Sequence, residues 1–277
     1  MGDYMKPSVW SSYFIDLSPE DMVKAFSSKG WSYSELSDEH AAVLLKRGKP
    51  HIVGKQFREF AEEHGLSFMQ GHLWLVCDIT APNRDEVIDI LKDWLELFDA
   101  IGIKNAVLHP GGKYMINEGC HPDEILDVRV ASLRRLLEYI KETDIYICLE
   151  NLNSTAPGFD DLSRIIDAVG SPKLGICLDT GHANISGVDQ VDFIKKGGPL
   201  IKALHIADNE GITDQHMMPF GRGNIQWDKI VPALKEINYS GLFNLEIPGE
   251  NRCPLEIRMA KLDYIKHMIC FMLEEFK

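Results

Sequence analysis

One pattern constrains the fold of this chain more than any other: short apolar runs alternate along its length with longer stretches of helical periodicity. The runs are Ser8–Ile15, Trp31–Leu36, Ser67–Val76, Asn105–His109, Ile145–Glu150, Leu174–Asp179, Ile201–Ile206 and Leu242–Ile247. The helical candidates are Pro19–Ser27 with Ser18 as N-cap, Gly54–His64, Arg84–Ile101, Asp123–Thr143, Phe159–Val169, Val188–Lys196, Trp227–Ile237 and Leu255–Phe276. Strand and helix in turn are what β-α units around a parallel sheet require. Eight such pairs in 277 residues predict an α/β fold, a closed (β/α)8 TIM barrel, with residues 1–277 as a single domain. An open doubly wound sheet fits less well, because no G-x-G-x-x-G turn follows the first run. No Pro/Gly/Ser-rich linker and no internal repeat divides the chain.

In a barrel the groups that do chemistry project from the C-terminal ends of the strands, so the residues closing each run matter most. Run three carries Gly71-His72, run four ends Leu108-His109-Pro110-Gly111-Gly112, and run five ends Leu149-Glu150-Asn151. Run six ends Leu178-Asp179 with His182 just beyond, run seven holds Leu204-His205-Ile206, and run eight holds Leu245-Glu246-Ile247. One such histidine is ordinarily a satisfied core residue. Six polarised ends converging on one small space are different, because each unpartnered buried charge costs several kcal/mol. A bound cation is the simplest compensation. Glu150, Asp179, His205 and Glu246 supply three carboxylates and one imidazole, a set that suits Mn²⁺, Mg²⁺, Co²⁺ or Zn²⁺ and not a thiolate-rich structural zinc. Three negative ligands over-neutralise a divalent ion, which gives His182 and Arg222 a charge to stabilise.

Composition narrows the partners. Lys and Arg number 29 against 42 Asp and Glu, a net charge of −13, and the basic residues are scattered, which disfavours a nucleic-acid partner without excluding it. Six cysteines form no C-x-x-C pair, and Cys148 and Cys177 lie in apolar runs, as expected in a reducing compartment. The N-terminus lacks a basic-then-apolar export pattern, and no apolar run approaches the roughly 18 residues of a membrane span. The expectation is a cytoplasmic protein with no membrane partner; the sequence leaves open a homo-oligomer.

The chain resembles the xylose-isomerase-like TIM-barrel superfamily, which holds sugar isomerases and epimerases together with AP endonucleases of the endonuclease IV type. The resemblance spans essentially the whole length. It rests on G-W-S-Y-S-E-L-S at 30–37, L-H-P-G-G at 108–112, L-E-N at 149–151, L-D-T-G-H at 178–182, L-H-I-A-D-N at 204–209, and Asp214-Gln-His216 followed by G-R-G-N-I-Q-W at 221–227. The isomerase and epimerase branch implies one divalent metal, Mn²⁺ first, on Glu150, Asp179, His205 and Glu246. It also implies Glu150 and Glu246 as acid/base groups on two faces of a sugar, His182 at the sugar oxygens, and Arg222 at a hydroxyl or carboxylate. His72, His109, Asp214 and His216 join them as substrate-binding candidates.

The endonuclease IV branch implies instead three zinc ions, with counterparts at His72, His109, Glu150, Asp179, His182, His205, Asp214, His216 and Glu246. That set would make phosphodiester hydrolysis chemically accessible. Against it, the first run lacks a G-A-H-x-S-type start, and no Arg/Lys-rich, aromatic-bearing loop suits a kinked duplex. The preferred expectation is therefore a sugar or sugar-derivative isomerase or epimerase working through a metal-stabilised enediolate. A keto-sugar lyase is a third reading of the same metal and base. Trp10, Phe14, Trp74 and Phe220 could wall the sugar, or simply pack the barrel. Specificity is expected in the loops Leu36–Lys55, Gly111–Pro122 and Asn209–Gln226. The stripe Ile257, Leu262, Ile265, Ile269 and Met272 should pack the last helix onto the barrel.

Overall fold

A computed structural model describes residues 5–276. Residues 1–4, on which the reading of no export signal partly rests, and residue 277 lie outside it. Eight strands follow in order: β1 (Lys6–Val9), β2 (Tyr33–Leu36), β3 (Ser67–His72), β4 (Asn105–Leu108), β5 (Tyr146–Glu150), β6 (Leu174–Asp179), β7 (Ile201–His205) and β8 (Leu242–Leu245). β2 to β7 form one parallel sheet in sequence order, and β1 pairs in parallel with β8. Parallel bridges between Trp10 and Glu35 and between Ile206 and Leu245 join the two sheets into a ring. Helices cover the outside, as parallel strands buried on both faces demand.

The helix boundaries have local causes. Ser18 accepts a hydrogen bond from the Asp21 amide and Pro19 opens the helix Pro19–Ser28. Gly102 and Gly170, both left-handed, end Arg84–Ile101 and Phe159–Val169. On the last helix Leu262, Ile265, Ile269 and Met272 are buried as expected, but Ile257 stays 49% exposed. Its neighbour Arg258 forms the buried side of that first turn, paired with Asp16.

Several runs are shorter than the sequence predicts. β1 ends at Val9, and Ser11–Phe14 coil into a 3-10 turn, because β8, its pairing partner, ends at Leu245. β3 ends at His72, where the chain leaves the sheet towards Cys77. The segment expected as the loop Leu36–Lys55 instead holds the helix Asp38–Leu45, capped by Ser37, and the start of Pro50–Glu63. Two further short helices, Lys113–Asn117 and Thr180–Ile185, were not legible as periodic segments.

Inside the ring, alternate residues face the axis. One half is lined by the small apolar cluster Val107, Cys148, Cys177 and Ala203 from β4 to β7. The other half is polar, with Ser8, Glu35, Gln70 and Asn244 fully buried on β1, β2, β3 and β8. Two residues further along, the same period brings His72, His109, Glu150, Asp179, His205 and Glu246 to one end of the barrel.

Candidate metal centre

At that end the side chains meet in three sets whose ligand atoms lie within 4.8 Å of one another: His72, His109 and Glu150; Glu150, Asp179, His205 and Glu246; and His182, Asp214 and His216. Glu150 belongs to two of them. Its Oε2 lies 3.3 Å from His72 Nε2 and 3.2 Å from His109 Nε2, and its Oε1 lies 3.1 Å from His205 Nδ1 and 3.4 Å from His182 Nδ1. Asp214 spans the third set, with Oδ2 3.2 Å from His182 Nε2 and Oδ1 3.2 Å from His216 Nε2. The local sequence explains the placement. Asp179 ends β6 and caps the helix Thr180–Ile185 by accepting from the His182 amide. That one turn carries the imidazole back over the strand ends, where Asn151 accepts from it.

Gly181 is helical, and its role is close approach. A Cβ there would meet Asn209 Nδ2 at 3.2 Å and Asp179 Oδ1 at 3.3 Å. Gly223, in G-R-G-N, is held still more tightly: a Cβ would fall 2.0 Å from Asp208 Oδ1, which accepts from the Ile225 amide and so fixes the loop carrying Asp214 and His216.

The ring nitrogens show a common arrangement. His72 Nδ1 lies 2.6 Å from the Leu73 carbonyl, His182 Nδ1 3.0 Å from the Asn151 carbonyl and His216 Nδ1 2.8 Å from the Glu246 carbonyl. His205 Nε2 lies 3.1 Å from Glu35 Oε1. An acceptor on one side assigns the N–H to that nitrogen and leaves the lone pair of the other directed at Glu150, Glu246 or Asp214. A lone pair facing a carboxylate oxygen at hydrogen-bond distance needs a proton or a cation between them. In addition, Asp179 Oδ2 and Glu246 Oε2 are buried carboxylate oxygens with no hydrogen bond, although Glu246 Oε2 sits 3.1 Å, out of line, from His205 Nδ1. These are the donors a divalent ion takes, and the residues fit it.

Electrostatics records the same demand in the metal-free state. Burial works against the His72 imidazolium, but the hydrogen bond and charge of Glu150 outweigh it and push the pKa up to about 9. Burial likewise opposes the charged forms of His182 and His216, yet Asp179, Asp214 and Glu150 raise His182 to about 12, and Asp214, Glu246 and Asp179 raise His216 to about 10. Burial would raise Glu150 and Glu246, but the His205 charge and the surrounding imidazoles hold Glu150 well below the usual carboxylate range and Glu246 at about 2. Asp179 is pushed up to about 7 by burial. Protons on the imidazoles occupy the role a cation would fill.

The family described as xylose isomerase-like TIM barrel matches residues 24–270. The chain belongs to that family. It is 26% identical over 204 residues to a D-psicose 3-epimerase of Enterocloster bolteae, covering 69% of this chain and 65% of the relative, so it spans less than two thirds of that protein's length. It is also 26% identical to a probable endonuclease 4 of Staphylococcus aureus strain JH9, covering 89% of this chain and 93% of that one. A solved D-psicose 3-epimerase from Clostridium cellulolyticum H10 superposes with a TM-score of 0.80 at 16% identity, over 98% of this chain and 100% of the other, a likeness of fold. The xylose isomerase-like family thus brings sugar epimerase-like and endonuclease 4-like relatives to the same barrel.

Around the family's barrel mouth the remaining candidates separate. Arg222 does not join the cluster: its side chain is 77% exposed and lies 3.5 Å from Glu210. Phe14 is fully buried against Phe26 in the core, and Phe220 packs on Phe276 at the surface, so neither walls the centre. Trp10 donates to the Ile247 carbonyl, and Trp74 is partly buried. Two clefts flank the cluster, one of about 540 Å³ beside His109, reaching Leu75, Asp78 and Tyr114, and one of about 380 Å³ beside His216, reaching Tyr13, Arg222 and Lys261. The sequence reading passed over Glu35 and assigned Asn151 no role, although both stand in quoted motifs. Asn151 grips the Asp179 backbone through both its amide atoms. The available signal was a carboxylate in the interior of a short strand-like run, beside Ser34.

Proposed function

We propose that this protein is a divalent-metal-dependent sugar isomerase or epimerase, with Glu150, Asp179, His205 and Glu246 holding the metal, Mn²⁺ first among the candidates. The observation that carries the reading is the unshared electron pairs directed at one another: imidazole lone pairs and orphaned carboxylate oxygens meet at the strand ends. A divalent ion there supplies Lewis acidity to a carbonyl and its neighbouring hydroxyl.

The residues divide the remaining work. Glu246 keeps one buried carboxylate oxygen without a hydrogen bond, so it is the group with an oxygen open to accept a proton from carbon. Glu150, on the other approach to His205, returns the proton, although its oxygens are shared among four imidazoles. His182, as the family resemblance implies, and His109 are assigned to the substrate's oxygens, and Arg222 acts only at the rim. A small, uncharged substrate suits the surroundings, because Arg222 and Lys261 each stand beside a carboxylate and the chain carries −13.

A second reading is favoured by one specific observation, the three adjoining ligand sets, two of which share Glu150, a layout suited to several zinc ions and phosphodiester hydrolysis. Incubating Mn²⁺-, Co²⁺- and Zn²⁺-loaded protein with ketopentoses, ketohexoses and keto-glycosides, and reading the products by NMR, separates the two. An isomer whose formation stops on chelation, with an abasic-site duplex left intact, supports the sugar reading. Nicking of the duplex by protein holding three zinc ions, with every sugar unchanged, overturns it.

A further inference from the structure

His72, His182 and His216 hold their outer N–H on a backbone carbonyl, whereas His205 holds its on a carboxylate, Glu35 Oε1 at 3.1 Å. Glu35 lies on β2, across the barrel axis from β7, and is fully buried. Its other oxygen accepts from Gln70 Nε2 at 2.9 Å and from Asn244 Nδ2, whose own carbonyl oxygen accepts from Ser8 Oγ at 2.8 Å. Gln70 is further tied to the Leu204 carbonyl, next to His205. A carboxylate in the middle of a barrel is an expensive way to fill space, since burial of an ion costs several kcal/mol and a neutral side chain would pack as well. Every donor around it points inward, and Glu35 makes no contact with either cleft.

From this geometry we infer that Glu35 is a positioning residue for the metal centre: it fixes His205 with the proton on Nε2 and the lone pair of Nδ1 turned to Glu150 and Glu246. The inference rests on the proposed metal site and adds to it a residue two layers below the substrate. A carboxylate accepts three hydrogen bonds at once and donates none. Glutamine at the same position offers one acceptor and two N–H groups. It can satisfy His205 Nε2–H only by turning its amide against Gln70 and Asn244, or satisfy those two only by driving the His205 proton onto Nδ1, where it blocks the metal. Ring orientation and ligand strength then both suffer.

The test is Glu35→Gln, read by Co²⁺ affinity in chelator competition, by the visible spectrum of the Co²⁺-loaded protein, and by the melting temperature of the metal-free protein. The expected result is a roughly 10- to 100-fold loss of Co²⁺ affinity with a changed spectrum, in a metal-free protein that still melts cooperatively. Glu35→Asp, too short to reach His205, should also bind weakly. Wild-type affinity and spectrum in Glu35→Gln, or a fall in melting temperature alone, would overturn the inference. So would a wild-type protein that takes up no Co²⁺. If wild type binds Co²⁺ but converts no sugar, the sugar reading fails and the role of Glu35 stands.

Discussion

The two ligand sets that meet beside Asp179 are carried in different ways. The quartet Glu150, Asp179, His205 and Glu246 comes from the ends of β5 to β8, and each member is at most 5% exposed. The hydrogen-bonded ladder of the barrel fixes these positions, whatever the loops do. The triad His182, Asp214 and His216 takes one member from a single helical turn and two from the long segment between β7 and the helix Trp227–Glu236. The Asp214 side chain is 39% exposed, and His216 adopts a left-handed backbone, φ 45°, of a kind that costs about 1–3 kcal/mol unless its surroundings enforce it. Paired hydrogen bonds between Asp208 and Met217, each 2.8 Å, supply that enforcement. The quartet is thus built by the fold, and the triad by a pinned loop. Chemistry that must survive belongs to the first, and adjustment to substrate or to a further ion belongs to the second.

Removing Glu150 should break the contrast outright, because it is the member shared with His72 and His109 and it also stands 3.4 Å from His182 Nδ1. Glu150→Ala is expected to lose metal from the quartet and from the His72–His109 side together, with turnover down by about 10⁴ or more, and metal analysis alongside kinetics checks both. Glu246→Gln should sharpen it: turnover falls by about 10²–10⁴ while Asp179, His205 and Glu150 keep part of the metal, so activity per bound ion must be reported. His216→Ala should touch the triad alone, with turnover falling less than about 10² and quartet metal unchanged; loss of all bound metal would erase the distinction drawn here.

The pH dependence follows from the two raised pKa values within the quartet. In the metal-free protein His205, whose pKa the neighbouring charges raise well above the usual imidazole value against the effect of burial, and Asp179, pushed up to about 7 by burial, hold protons near neutral pH, and a metal on the quartet must displace them. Metal affinity should therefore rise between about pH 6 and pH 8, with protons released on loading, seen as calorimetric heats that depend on the buffer's ionisation enthalpy. The smallest effect belongs to Arg222→Ala at the exposed rim: KM rises by less than about tenfold with kcat unchanged.

Much of this was legible in the sequence because barrel strands have a period of two and active groups sit at their ends. The bounds of β6, Arg84–Ile101 and Phe159–Val169 follow directly from apolar pattern, with a left-handed glycine closing both helices. The ends of β1 and β3 do not, since apolar residues such as Phe14 and Leu73 continue into the core after the strand has stopped, and hydrophobicity alone does not mark that departure. The strand-end residues His72, Glu150, Asp179, His205 and Glu246 could be placed, but how Glu150 divides its oxygens among four histidines is a matter of side-chain geometry. Arg222 illustrates the limit: its motif drew it towards the site, while its loop leaves it in solvent beside Glu210. Glu35 shows the reverse, a residue set between Ser34 and Leu36 in a short strand, whose purpose emerges only when β2 and β7 face each other across the barrel.

The most direct test is deuterium uptake from solvent into the carbon next to the carbonyl of a ketose or keto-glycoside, catalysed by the Mn²⁺-loaded protein and measured by NMR. The account predicts exchange that stops on chelation and in Glu246→Gln. A fully metal-loaded protein that exchanges no carbon-bound proton in any of these substrates, yet cuts an abasic-site duplex, would contradict it.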